Sequence, residues 1–290
     1  MKKIVLVTYE DQGKYTSNLE NEDQKLQQFL QDKGLEARSE VWSDPSVDWG
    51  RYDVAILKSP WDYFDRILEF YAWLDRMKAM NIRMLNPINI VLWNSDKHYL
   101  KDIAAAGLPV TPTLFIEKGE TPDLHHYFEE FDTGKLIVKP SVSGGSKNTF
   151  KLTREDTAEY TPKLTSLLSE EAFMVQPFLH EVQKEGEWSL LFFNGKYSHS
   201  LLKKAKAGDF RVQHYLGGTI HAQEPPVDLI CKAREYVDQF APNCLYARVD
   251  GVVVNSGFQL MELELIEPFL FMFTNPNSYE KYYQALKEMI

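Results

Sequence analysis

The 290-residue sequence lacks most of the features that would assign it quickly. Cysteine is scarce. Cys231 and Cys244 stand apart and form no CxxC pair, so neither a disulfide framework nor a thiolate zinc site can be built from them. Basic residues are outnumbered, 32 Lys+Arg against 42 Asp+Glu, for a net charge of −10. That balance argues against nucleic acid, whose binders present a basic face. No long hydrophobic run exists. The apolar stretch after the opening MKK stops at Thr8, and FLFMF near the end is too short to span a bilayer. A soluble, cytoplasmic protein with free thiols and no membrane or nucleic-acid partner is expected. The first strand-like run is followed by no GxGxxG, and no Walker-type loop occurs, so neither common nucleotide-binding fingerprint applies. Internal repeats, low-complexity tracts and Pro/Ser-rich linkers are also absent, which predicts tightly packed domains.

What is present is an α/β rhythm. KIVLVTY, EARSEVW, DVAILK and RMLNP read as strands. Between them run two amphipathic helices, one marked by Leu19, Leu26, Phe29 and Leu30, the other by Leu68, Tyr71, Leu74 and Met77. This predicts an open parallel α/β sheet over about the first 90 residues. NSDKHYLKDIAAAGLP predicts a helix with Asn94 or Ser95 as N-cap, ended by Gly107 and Pro109. Two hairpins follow. WSLLFF and KYSHSLLK flank Asn194-Gly195, a type I′ signal, and YARVDGVVV and FQLMELELI flank a turn expected to be longer. The closing NSYEKYYQALKEMI predicts a helix.

Three groups of residues carry chemistry. The first is IVKPSVSGGSKNTF, a strand ending at Lys139 and then a loop of small residues that exposes backbone N–H groups, which suit phosphate oxygens. Alone it reads more readily as a glycine turn with two surface lysines. The second is a set of acids. Glu262 and Glu264 alternate on one strand and so share a face, and Asp250 lies on the strand paired with it. Carboxylates gathered on one face repel unless a cation lies among them, and magnesium accepts such oxygens together with phosphates. The third is the cationic segment LLKKAKAGDFRVQ. In an acidic chain it points to an anionic ligand through Lys203 and Arg211, with Lys204 and Lys206 as solvated residues. Together these describe a nucleotide-triphosphate site suited to phosphoryl transfer. His98, His125, His126, His180 and His199 have no metal-ligand spacing and read as surface or internally satisfied residues.

The phrases VDWG, NSDKHYL, VKPSVSGG, GDFRVQ and MELELIEP, in this order, resemble those of ATP-grasp ligases. The sequence is most similar to the cyclo-ligase-like proteins of cycloserine biosynthesis. It is also similar to bacterial glutathione synthetase and the ribosomal-protein glutamate ligases. The resemblance implies an α/β (α+β ATP-grasp) fold class, with an N-terminal open parallel α/β domain followed by a two-subdomain ATP-grasp core. The expected boundaries are 1–94 for the first domain, 95–178 for the small lid subdomain and 179–290 for the large subdomain with the metal site. It implies ATP and two Mg²⁺ ions as cofactors.

The same resemblance implies roles residue by residue. Lys97 and Lys139 would reach the phosphates, under a loop formed by Ser143, Gly144, Gly145 and Ser146, with Lys147 a solvated lid residue. Gln176 and the backbone of Phe178 and Leu179 would meet the adenine edge. Glu185 or Glu187 would take the ribose, with Glu185 preferred. Lys203, Arg211 and Arg248 would be catalytic, and Asp250, Glu262 and Glu264 would hold metal. Glu264 stands where the family pattern has Asn, which leaves open whether it or Glu267 completes the metal site. Lys58, Ser59, Trp61 and Asp62 in LKSPWDYFDR, with Gln213, Gly217, Gly218 and Glu267, would contact substrate; Trp61 also reads as core packing. The implied activity is ATP-dependent activation of a small amino-acid-like carboxylate for attack by an amine or another nucleophile, by cyclisation or between molecules, in a monomer or homodimer. A kinase-like or regulatory ATP binder that joins nothing, and an interaction domain, are the alternative readings.

Overall fold

The computed structural model describes residues 2–10, 13, 21–206, 208, 209, 211, 212 and 216–290. Leu19 and Gln213, both singled out in the sequence, lie outside these described residues. The chain opens with a parallel sheet in the order β2-β1-β3-β4, formed by β1 (Lys3–Thr8), β2 (Glu36–Val41), β3 (Val54–Ser59) and β4 (Arg83–Leu85). The crossovers carry α1 (Glu22–Asp32) and α2 (Ile67–Ala79). The central strands β1 and β3 are covered on both faces, which is why they read as near-continuous apolar runs. Ile4, Leu6, Val54 and Ile56 face one side with Leu26 and Leu30 of α1; Val5, Val7, Ala55 and Leu57 face the other with α2. The apolar stripe of α2 is Phe70, Trp73, Leu74 and Met77, spaced i, i+3, i+4, i+7. Leu68, expected on that stripe, points out and is 78% exposed.

Two short helices follow, α3 (Ile88–Asn94) and α4 (Tyr99–Ala105). Asn94 and Ser95 do not cap the second, contrary to the sequence reading. Asn94 closes α3, and its side chain donates to Leu263 O at 2.8 Å and accepts from Leu265 N–H at 3.1 Å. Ser95 Oγ donates to Leu92 O. The next turn is started instead by Asp96, whose Oδ1 accepts from His98 N–H at 3.0 Å. Helix α4 ends as expected at Gly107, at φ 82°.

The second sheet has the order β5-β8-β6-β7, from β5 (Leu114–Ile116), β6 (Lys135–Pro140), β7 (Phe150–Thr153) and β8 (Phe173–Pro177). It is backed by α5 (Leu124–Glu130) and α6 (Thr157–Leu168). After α7 (His180–Lys184) comes the third sheet, ordered β11-β10-β9-β12-β13. Its strands are β9 (Glu187–Phe193), β10 (Lys196–Lys204), β11 (Thr219–Ala222), β12 (Tyr246–Val254) and β13 (Gly257–Glu264). Helix α8 (Val227–Phe240) covers one face and α9 (Ser278–Met289) part of the other. Asn194 and Gly195 turn the first hairpin at φ 47° and 71°, the type I′ geometry their sequence predicts. The second turn is tighter than expected. Asn255 and Ser256, at φ 49° and 66°, form the whole of it, and Gly257 already belongs to β13. Among the described residues no helix is long and apolar enough to cross a membrane.

Buried side chains tie the first sheet to the third: Tyr246 of β12 donates its hydroxyl to Leu57 O of β3 at 2.6 Å, and Asn86 makes the most extensive link. Asn86, at the end of β4, donates to Tyr246 O and Leu265 O at 3.0 and 2.7 Å. Its oxygen accepts from Leu245 N–H at 2.8 Å and more weakly from Tyr246 N–H at 3.4 Å. Its φ of 66° is a left-handed value that Asn tolerates better than most residues. Asn86→Ala strands these buried backbone groups. It should cost about 2–4 kcal/mol, read as a lowered denaturant midpoint with an unchanged m-value.

Candidate active site

Strand alternation divides one face of the third sheet into two zones. At one end Leu191, Phe193, Leu201 and Tyr246 pack against the first sheet and α9. At the other end the same face of the same strands presents Glu187 and Ser189 from β9, Lys203 from β10, Arg248 and Asp250 from β12, and Glu262 and Glu264 from β13. Register sets Arg248 opposite Glu264 and Asp250 opposite Glu262. The intervening Ala247, Val249 and Leu263 point into the α8 core. This polar zone is the floor of a cavity of about 600 Å³, ample for a nucleotide or a drug-sized ligand.

The floor is an ionic network. Lys203 Nζ lies 3.0 Å from Asp250 and 2.5 Å from Glu187. Arg248 forks onto Asp250 through Nε and Nη2 at 3.0 and 2.9 Å, and also pairs with Glu264. Ser189 Oγ donates to Asp250 at 2.6 Å. Burial would raise the Asp250 carboxyl, but Arg248 and Lys203 overcome that and hold it well below the usual range. Glu264 goes the other way, pushed far up by burial and by Asp250, Glu262 and Glu267, despite Arg248. Glu267, just past β13, rises to about 8, from burial and from Glu262. Burial also acts on Glu262, but Lys97, 3.2 Å away, and Lys139 hold it low. The floor therefore has more carboxylates than its own cations fully neutralise.

The roof is the second sheet. On β6, Leu136 and Val138 point into the helix-backed core, so Ile137 and Lys139 point into the cavity. Lys97 reaches in from the start of α4 and donates to Ser143 O at 2.6 Å. Lys139 makes no hydrogen bond or ion pair among the described residues. Burial lowers its pKa, only partly offset by Glu262. An ammonium held this way is stabilised by an anion arriving in the cavity. Gln176 of β8 lines the same wall and donates to Thr113 Oγ1 at 2.9 Å. Phe178 and Leu179 also line it, but the Phe178 N–H is committed to Lys135 O at 2.9 Å. The Leu179 N–H has no partner among the described residues, and it remains available for a base edge.

The loop Ser143–Ser146 closes one side. Ser143 is buried and its Oγ donates to Pro140 O. Gly144 lies against the Phe64 ring so closely that a Cβ would come within 2.5 Å of it. Lys147 is not simply solvated as its loop position suggested. Its Nζ is 2.8 Å from Asp65 and sits over the Phe64 ring. The loop is thereby held on the first domain's Tyr63–Asp65 turn.

Several assignments change. Trp61 does line the cavity, with Phe64, Phe269, Phe271 and Glu267, and its Nε1 donates to Glu267 O at 3.1 Å. Lys58, Ser59 and Asp62 do not line it. Lys58 is buried against Glu22 and Asp23, Ser59 bonds Asp23, and Asp62 accepts from Trp42 Nε1 at 2.7 Å. They follow one another in sequence, but β3 ends at Ser59 and the chain turns, so only Trp61 swings over the site. Glu185 is exposed outside the cavity; Glu187, two residues on, lines it. Gly217 and Gly218 are not on its wall either. Arg211 is there, paired with Asp209 at 2.9 Å. Lys204 and Lys206 are exposed, as expected. Buried His199 is satisfied by Ser198 Oγ and Leu270 O, and His98 lies between Asp96 and Glu117. Phe64, Ser189, Phe269 and Phe271 were not legible in advance, because nothing but three-dimensional proximity marks them.

For magnesium the donor chemistry fits, since every carboxylate offered is a hard oxygen ligand. Among the described residues, however, no three His, Cys, Asp or Glu side chains are grouped as a ready cage. Asp250 has both oxygens engaged by Arg248, Lys203 and Ser189. Glu262, Glu264 and Glu267 keep more open capacity, and the raised carboxyls of the last two mark the negative charge a divalent ion would relieve.

Known proteins resemble this chain along most of its length. Residues 4–86 match the family described as the D-cycloserine synthetase DcsG N-terminal domain, and residues 108–243 match the prokaryotic glutathione synthetase ATP-grasp domain. The cycloserine biosynthesis protein DcsG of Streptomyces lavendulae is 29% identical over 278 residues, covering 89% of this chain and 90% of that one. A crystal structure of D-cycloserine synthetase DcsG superposes with a TM-score of 0.84 at 26% identity over 98% of both chains. A D-alanine–D-alanine ligase of Bacillus anthracis complexed with ATP shares the fold at a TM-score of 0.68 and 13% identity, covering 100% of this chain and 97% of that one.

The contact between Gly144 and Phe64 can be tested directly. Gly144→Ala forces the loop off the ring, because a buried aromatic cannot yield that far. The apparent Kd for ATP should rise about tenfold and stability fall by about 1–3 kcal/mol, measured by titration calorimetry and thermal melts.

Proposed function

We propose that the chain is an ADP-forming ligase of the ATP-grasp superfamily, a reading supported by its likeness to the glutathione synthetase ATP-grasp domain and to DcsG. It activates a small-molecule carboxylate, or a comparable acyl group, as an acyl phosphate for attack by an amine or another nucleophile. The observation that carries this reading is Lys139, a half-buried ammonium with no partner among the described residues, pointing into a cavity between a Gly-rich loop and a floor of carboxylates. We divide the chain into an N-terminal domain at 1–94, a lid-bearing subdomain at 95–178 and a floor-bearing subdomain at 179–290.

In the first step the bond between the β- and γ-phosphates of ATP breaks and a substrate carboxylate oxygen bonds to the γ-phosphorus, releasing ADP. Lys139 and Lys97 hold the phosphates under Ser143, Gly144, Gly145 and Ser146. Gln176 and the Leu179 N–H take the adenine edge, and Glu187 takes the ribose. Lys203, Arg211 and Arg248 neutralise charge that develops on the transferred group, a role for fixed cations in a dry site. Glu262 and Glu264, with Glu267 close by, would hold Mg²⁺, which when bound draws phosphate charge onto itself. In the second step the nucleophile bonds to the acyl carbon and inorganic phosphate leaves. Acyl phosphates hydrolyse readily, so closure of the loop on Phe64 and Asp65 protects the intermediate. The substrate sits against Trp61, Phe64, Phe269 and Phe271, beside Glu267.

Likeness to a D-cycloserine synthetase along the whole chain, N-terminal domain included, favours ring closure within one amino-acid-like substrate over joining two. The test is incubation with ATP, Mg²⁺, pooled amino-acid derivatives and hydroxylamine. ADP formation together with a hydroxamate is expected; ADP without any trapped or joined product would sink the ligase reading. Lys139→Ala should abolish the ATP-induced rise in melting temperature, which for wild type at 100 times Kd corresponds to about 2.7 kcal/mol.

A further inference from the structure

Phe269 and Phe271 on one wall of the cavity belong to a short strap, Pro268–Met272, whose backbone is gripped from outside the cavity as well as from its floor. Glu22, the first residue of α1, is buried with its carboxylate against this strap. Its Oε1 accepts from Leu270 N–H and its Oε2 from Met272 N–H, both at 2.8 Å. Lys58 Nζ donates to Glu22 Oε1 at 2.9 Å and lies 3.0 Å from Asp23, which in turn accepts from Ser59 Oγ. Between the two gripped amides stands Phe271, at φ 49° and ψ 38°, a left-handed backbone that a bulky L-residue avoids unless its surroundings impose it. The strap carbonyls are held as well. Leu270 O accepts from His199 Nε2 at 2.9 Å, and Met272 O from Ser278 Oγ at 2.6 Å.

The strap meets the floor at Arg248. Phe269 O accepts from Arg248 Nη1 at 3.0 Å, and the guanidinium lies 5.5 Å from the centre of the Phe271 ring. Arg248 is the cation that holds Asp250 and Glu264. We propose that Glu22, oriented by Lys58, is a positioning residue for the reaction. It clamps the strap in its strained turn and so fixes Arg248 and the aromatic substrate wall, without itself touching the cavity. The inference rests on the ligase reading for its turnover readout but not for its structural one.

A carboxylate suits this task because it offers two acceptor oxygens to two N–H groups. In Glu22→Gln one of those oxygens becomes an NH₂ donor facing a strap amide. Hydrogen exchange at Leu270 and Met272 should accelerate at least tenfold. Affinity for ATP should stay within twofold, because Lys139, Gln176 and Leu179 hang from other elements. Turnover should drop tenfold or more. Asp23→Asn is the control, since it weakens the same ion cluster but touches no strap atom; it should lower the melting temperature with turnover within twofold. Where Glu22→Gln does not fold, Glu22→Asp, one methylene short of spanning both amides, reads the same quantities. Unchanged strap exchange in the Glu22 variants, or turnover loss in Asp23→Asn matching that of Glu22→Gln, overturns the positioning role. Accelerated exchange with retained ATP binding, in a protein that ligates nothing, supports the clamp and rejects the ligase reading alone.

Discussion

Arg248 is the interaction on which the rest of the floor depends. One guanidinium binds Asp250 with two nitrogens, reaches Glu264 across the strand pair, donates to Phe269 O and lies over Phe271. Remove that charge and the four carboxylates on this sheet face, Glu187, Asp250, Glu262 and Glu264, are left with Lys203, Lys97 and Lys139. The cost of burying it is large, and only bonding to several partners at once offsets that cost. Such a network contributes less to stability than to fixing one arrangement. That is what a site needs if it is to place a phosphoryl group between fixed cations.

The floor exists because of strand parity. The same face of the same strands is apolar where it meets α9 and the first sheet, and ionic where it meets the cavity. The roof repeats the device on β6, where Val138 enters the core and Lys139 enters the cavity. Side asparagines and the buried glutamate then join the layers. Asn86 and Asn94 bond backbone groups of β13's end, and Glu22 bonds the strap that follows it. In each case a polar side chain supplies the partners that irregular buried backbone lacks.

Much of the fold was legible. The period-two and helical patterns placed the strands of the first sheet, the two hairpins, α1, α2 and α9 to within a few residues, and Asn194-Gly195 named its own turn, whereas α3, α5, α6, α7, α8 and β11 were not read. The failures have physical causes. Leu68 was assigned to an apolar stripe that begins instead at Phe70, because a single leucine fits more than one helical register. Asn94 has the residue type of a cap but serves β13 instead, since a buried strand end had stronger need of its amide. Asn255-Ser256 was read as part of a longer turn because only Asn-Gly advertises a left-handed pair.

The site divides the same way. Glu262 and Glu264 could be placed on one face from sequence, because alternation along a strand decides which residues share a face before any tertiary contact forms; Lys139, Lys203 and Asp250 were named from their local segments, and Arg248 only through the resemblance to ATP-grasp ligases. LKSPWDYFDR could not be parsed so well. Trp61 reaches the cavity, whereas Lys58, three residues earlier on β3, is buried against Glu22. Composition and pattern thus determined the α/β rhythm of the first sheet, the two hairpins and the acids that share a strand face. Only the tertiary structure decided that Lys147 grips Asp65, that Glu187 and not Glu185 faces the cavity, and that Glu22 holds a strap more than two hundred residues away. Parity is local and survives in the sequence. Which buried amide or charge a distant side chain will satisfy depends on how the sheets close on one another, and nothing local encodes that.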